Sequence, residues 1–141
     1  MKNIYEVFDE FEAPNNKKDR MRVIENNLSQ TLVQVLQYTF HPDIRWKISE
    51  VPDNYKGNVD SKQGISTCQL STEIRKLYLF QQGNQTAENL TPRKQNELLL
   101  QLLESIEPRE AEVIMGIFKK DQGVKGLDYK FVKEAFPNLL P

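Results

Sequence analysis

The sequence predicts an all-α domain, and three observations carry that prediction. Apolar residues recur at three- and four-residue spacing in almost every segment, as a helix that buries one stripe requires. Helix-start chemistry stands where those patterns begin, most clearly at Thr91-Pro92 and Glu107-Pro108, where proline at the first helical position loses no hydrogen bond. β-branched residues are modest in number, which disfavours a large sheet.

From the N-terminus, Ile4, Val7, Phe8 and Phe11 make Lys2 to Glu12 an amphipathic helix ended by Ala13-Pro14-Asn15-Asn16. Lys17 to Glu25 is a second helix, with Met21, Ile24 and Leu28 on its inner side and Asn26-Asn27 as its break. A third starts at Asn27 or Ser29 and buries Leu32, Val33, Leu36, Phe40 and Tyr38. Residues 41–70 then change character. Pro42, Pro52, Gly57 and Gly64 punctuate His41 to Gln69, while Ile44, Trp46 and Ile48 alternate with polar residues. This reads as a long irregular excursion with at most a short strand pair, and Trp46 as its anchor on the helices in preference to a stacking platform for a base. Ser71 is the expected N-cap of a helix carrying Ile74, Leu77, Tyr78 and Phe80 and ending near Gly83. Gln81 to Leu90 reads as polar connection. Leu98, Leu99, Leu102, Leu103 and Ile106 form the apolar face of the helix begun at Thr91-Pro92, and Val113, Ile114, Ile117 and Phe118 that of the helix begun at Glu107-Pro108. Asp128 caps a last short helix with Phe131, Val132 and Ala135, closed by Phe136-Pro137. The expected total is about seven helices in a single domain, residues 1–141, a length that buries roughly two thirds of the unfolded chain's surface.

Composition narrows the function. Hydrophobic residues at 38% and charged residues at 28% are ordinary for a soluble domain. No apolar run is long enough to cross a bilayer, and the charged first dozen residues lack the apolar centre of a secretory signal. The expectation is a cytoplasmic protein with no membrane partner. Asn27, Asn84 and Asn89 begin glycosylation sequons, which without a secretory signal reflect asparagine-rich composition. Cys68 and His41 are the single cysteine and the single histidine, so neither a disulfide nor a metal site is expected. No phosphate-cradling Walker loop, paired-histidine helix or nucleophile elbow occurs. The acids from Glu104 to Glu112 sit beside helix starts, where solvation and the helix dipole account for them. Lys119-Lys120-Asp121-Gln122-Gly123 nearly spells the adenylated-lysine signature of nucleotidyl transferases, but Asp and Gly stand one residue too far apart. A non-enzyme with no catalytic residues, metal or cofactor is expected.

Charge distribution is more telling than the net charge of −1. Lys119, Lys120, Lys125, Lys130 and Lys133 face only Asp121 and Asp128 over the same stretch, which suits phosphate contacts. Gly123-Val-Lys-Gly126 has the spacing of a backbone-gripping clamp, yet that class needs strands around it, so a tight turn between helices is the preferred reading.

Several segments resemble the N-terminal, all-helical DNA-binding domain of ATP-dependent DNA ligases from large tailed phages. Leu32 to Val51, LVQVLQYTFHPDIRWKISEV, resembles that domain's helix running into an aromatic-rich excursion. Glu107 to Pro141 resembles its end, where a helix passes through a basic glycine-containing turn to a short helix and an exit matched by Phe136-Pro-Asn-Leu-Leu-Pro141. Gly126-Leu-Asp-Tyr-Lys-Phe-Val-Lys resembles the ligases' arginine-glycine-leucine stretch, with no arginine before Gly126. In length and ending the chain is similar to a family of small uncharacterised proteins from tailed phages and cyanophages, through Pro108-Arg109-Glu110-Ala111-Glu112 and Lys125-Gly126-Leu127 with the tail. In the ligases a nucleotidyl-transferase domain would follow where Pro141 stands. The resemblance implies an accessory protein in the host cytoplasm that grips duplex DNA without reading sequence, through Lys119, Lys120, Lys125, Gly126, Lys130 and Lys133, with Arg75, Lys76, Arg93 and Lys94 as a second tier. The alternative is an adaptor for a phage or host replication or transcription protein.

Overall fold

A computed structural model describes residues 3–48 and 69–141. Its architecture is all-α: α1 (Ile4–Glu12), α2 (Lys17–Asn26), α3 (Gln30–Phe40), α4 (Leu70–Glu73), α5 (Gln85–Asn89), α6 (Pro92–Ser105), α7 (Pro108–Lys119) and α8 (Tyr129–Ala135), with a 3₁₀ segment over Ile74–Phe80. Pairing of extended backbone among the described residues is confined to one isolated antiparallel bridge, Trp46 to Gln81. The body of the excursion, with Cys68, lies outside the described residues.

The starts follow from their capping residues. Asn3 and Glu6 form a capping box on α1, and the side chains of Asn16, Ser29, Thr91 and Asp128 accept backbone N–H bonds at α2, α3, α6 and α8. Ser29, not Asn27, therefore opens the third helix. α7 is the hub. It packs on α1, α3 and α6, and six consecutive residues, Val113 to Phe118, are buried, as befits a helix enclosed on nearly all sides. Gly116 sits in that run because Gln122 lies against it. A Cβ at Gly116 would collide with the Gln122 amide, which donates to Thr39 Oγ1 and to the Val113 carbonyl, both at 3.0 Å.

Four expectations need correction. Gln69, not Ser71, precedes the helix at Leu70. That helix then tightens into 3₁₀ geometry, because Ile74, Leu77 and Phe80 recur at every third residue and all three are buried. Three residues per turn put them in one row and rotate Tyr78 outward, 44% exposed. Gln81 to Leu90 is not only connection, since Asn84 caps α5 by accepting from Thr86 and Ala87. Leu28 does not extend the α2 stripe. It follows the C-cap Asn27, beyond the helical repeat, and is 55% exposed.

The start of the excursion is pinned to the helices. Trp46 stacks edge-on with Tyr38 and Phe118, ring centroids 5.5 and 5.2 Å away, so it serves as the anchor. Backbone bonds Lys47 N to Phe80 O (2.6 Å) and Gln82 N to Arg45 O (2.8 Å) flank the bridge.

Glu110 joins α7 to α4 by accepting the Leu70 N–H at 3.2 Å from inside the protein. Burial pushes its carboxyl above the ordinary glutamate value, against the lowering effect of that bond. A carboxyl raised in the folded state contributes stability that is full below the unfolded value, near 4.5, and lost as pH rises through the folded one. Glu110→Gln keeps an acceptor without the charge. The expected result is a Tm above wild type at pH 7 and level with it near pH 4, followed by thermal melts at both pH values.

Candidate nucleic-acid interface

Two segments distant in sequence meet in space. The turn after α7 passes through Gly123 (φ 68°) and Gly126 (φ 86°), left-handed conformations that glycine adopts without strain, and Asp128 then starts α8 by accepting the Phe131 N–H at 2.9 Å. This brings Gly126 and Lys130 against α2. Lys17, Arg20, Gly126, Asp128, Lys130, Phe131 and Glu134 together line a concavity of about 260 Å³. A second, more open depression along α2 is lined by Lys17, Lys18, Met21, Arg22 and Glu25. Lys17 borders both, so the two surfaces are continuous.

Of the residues expected from sequence, Gly126 and Lys130 line this concavity, and Lys125 is exposed beside Gly126. Lys119 is exposed at the end of α7 but does not reach it. Lys120 does something else. It takes the left-handed conformation that ends α7, φ 60°, and its ammonium turns inward to donate to the carbonyls of Tyr38 (3.1 Å), His41 (2.8 Å) and Ile44 (2.9 Å). The cation thereby satisfies the Tyr38 carbonyl left open in the last turn of α3 and ties it to the carbonyls of His41 and Ile44 just beyond the helix, and burial holds its proton affinity below the ordinary lysine value. Lys120 is thus a structural pin and not an exposed cation. Lys133 likewise donates to the Pro137 and Leu140 carbonyls, at 3.0 and 2.7 Å. Arg75, Lys76, Arg93 and Lys94 lie on the 3₁₀ segment and α6 and do not line the concavity. Lys76 pairs with Glu73 at 2.9 Å, while Arg93 and Lys94 approach Glu97 at 3.6 and 4.0 Å.

Sequence reasoning missed Lys17, Lys18, Arg20 and Arg22. Their signal is visible: Lys17-Lys-Asp-Arg-Met-Arg22 holds four cations in six residues. The acids in the concavity are already engaged, Asp128 as the cap of α8 and Glu134 in an ion pair with Lys17. Arg22 approaches Asp19 at 3.5 Å.

No three His, Cys, Asp or Glu side chains gather as a metal would require among the described residues, and no described helix is long and apolar enough to cross a membrane. The fold and site define a helical domain with a basic surface assembled from α2 and the turn before α8. Residues 7–125 match the sequence model of a family of unknown function, DUF6433, and the chain belongs to that family. The match includes Lys17 to Arg22 and Lys125, and ends before Gly126 and Lys130. Comparison with curated proteins finds no match.

Proposed function

We propose that this chain is a non-enzymatic phage accessory protein of the host cytoplasm, a relative of the ligase DNA-binding domain that holds duplex DNA by its phosphate backbone without reading sequence. The observation behind the reading is the meeting of Arg20 and Lys130 around Gly126, beside the Lys17–Glu134 pair, with Lys18 and Arg22 continuing the cationic surface along α2. Cations on a helix face and a glycine turn position a backbone and carry no base information.

Binding to a duplex of mixed sequence, followed by fluorescence anisotropy, should weaken linearly in log-log form as salt rises, by about 0.9 per neutralised phosphate. Lys18→Glu, Lys125→Glu and Lys130→Glu combined should weaken it at least about 100-fold, since each reversal removes one counterion-releasing contact and adds repulsion, and should leave the helical circular dichroism unchanged. Absence of wild-type binding at low salt would refute the reading. The adaptor reading then takes its place, favoured by the net charge of −1 and the exposed Leu28 and Tyr78.

A further inference from the structure

Arg20 differs from the other cations of this surface in how firmly it is held. Its Nε donates to the Pro14 carbonyl at 3.2 Å. Its guanidinium lies over the Phe11 ring, 5.7 Å from the centroid, and that ring is itself locked edge-on against Phe131 at 4.9 Å. It also meets the backbone at Gly126, where an added Cβ would fall inside the contact radius of Arg20 Nη1. Three contacts, with Pro14, Phe11 and Gly126, thereby hold the guanidinium. Neither Nη atom has a hydrogen-bond or ion-pair partner among the described residues, and the same holds for the ammonium of Lys130, which lines the same concavity. Of the two carboxylates lining the concavity, Asp128 accepts the Phe131 N–H and Glu134 pairs with Lys17, so neither is bonded to Arg20 or Lys130, and the three cations outnumber the two acids by one.

An arginine with its orientation set and its terminal N–H groups open is suited to a tetrahedral oxyanion, which it grips through two parallel bonds. We infer that the concavity between α2 and α8 is a single-phosphate subsite, with Arg20 as the fixed two-pronged donor, Lys130 as the second charge and Gly126 as the residue whose missing side chain leaves Arg20 its place. The ligand chemistry is a phosphate oxyanion, supplied by a backbone diester or by free phosphate. The diester arm rests on the proposed DNA binding; the anion site itself does not.

The subsite makes binding depend on shape as well as charge, which an unstructured basic patch would not. Arg20→Lys retains the charge and loses the fork. The expected result is about tenfold weaker duplex binding for Arg20→Lys at constant salt, because the paired bonds disappear. Gly126→Ala should give a similar loss by displacing the guanidinium. Inorganic phosphate, titrated in ¹⁵N–¹H NMR spectra, should shift the Gly126 amide and the Arg20 Nε–H saturably in wild type and not in Arg20→Lys. Should Gly126→Ala unfold, Arg20→Lys decides alone, since it alters only the end of a side chain.

If wild type binds duplex and both variants that fold bind equally well, the subsite is overturned while the DNA reading stands. If wild type ignores duplex but phosphate shifts these two groups saturably and Arg20→Lys abolishes the shifts, the subsite stands with free phosphate as its ligand and the DNA reading falls. If phosphate shifts neither group saturably, the subsite is overturned.

Discussion

Lys120→Glu is expected to lower the stability of the domain by about 3–5 kcal/mol, the cost of leaving an inward charge without a partner. For a domain of this size that corresponds to a fall in Tm of roughly 10–20 °C. The reason is local. Tyr38, His41 and Ile44 all direct carbonyl oxygens at the Lys120 ammonium, and a carboxylate there would replace three attractions with three repulsions. Thermal melts of Lys120→Glu and Lys125→Glu provide the contrast, because Lys125 is exposed and its reversal should change stability by less than about 0.5 kcal/mol. Equal melts would remove Lys120 from its structural role. The contrast also guards the binding experiments: the reading of the lysine run as one exposed set invites a joint reversal of Lys120, Lys125 and Lys130, and such a variant would mix a loss of stability with any loss of DNA contacts.

Phe11→Ala is the second large effect, expected to cost about 3–5 kcal/mol, as removal of a fully buried aromatic ring does. Phe11 is completely inaccessible and stands edge-on to Phe131, so its loss opens a void where α1, α2 and α8 converge. The ring also supports the Arg20 guanidinium, so binding should fall along with stability. Chemical denaturation should show a lower midpoint with an unchanged slope; a midpoint within error of wild type would disprove the packing argument.

Much of the fold was legible because it is written in local signals. Proline and capping residues marked α6, α7 and α8 almost to the residue, and the stripe Ile4, Val7, Phe8 and Phe11 marked α1. What escaped depends on choices that local spacing leaves open. Ile74, Leu77, Tyr78 and Phe80 are compatible with either helical pitch, and the burial of every third residue decided for the tighter one. Asn84 hides a five-residue helix inside a polar run whose only buried residue is Ala87. The candidate site was half legible. Counting lysines found Lys125 and Lys130, but a count cannot tell a solvated ammonium from one that caps another helix, so Lys120 and Lys133 were grouped with them. Nor does spacing along the chain show that α2 lies beside Gly126, since that proximity exists only once the chain has folded back.

The contact between Phe11 and Phe131 has a kinetic side as well. The first helix also reaches α7 through Arg109, whose guanidinium grips Asp9 with two bonds of 2.7 Å across 100 residues of sequence and lies over Tyr5. Contacts that span most of a chain require closing a very large loop before they return any free energy, and they slow folding relative to a bundle of neighbouring helices. During synthesis α1 can pack at once on the neighbouring α2, while its contacts with α7 and α8 form only when those helices arrive.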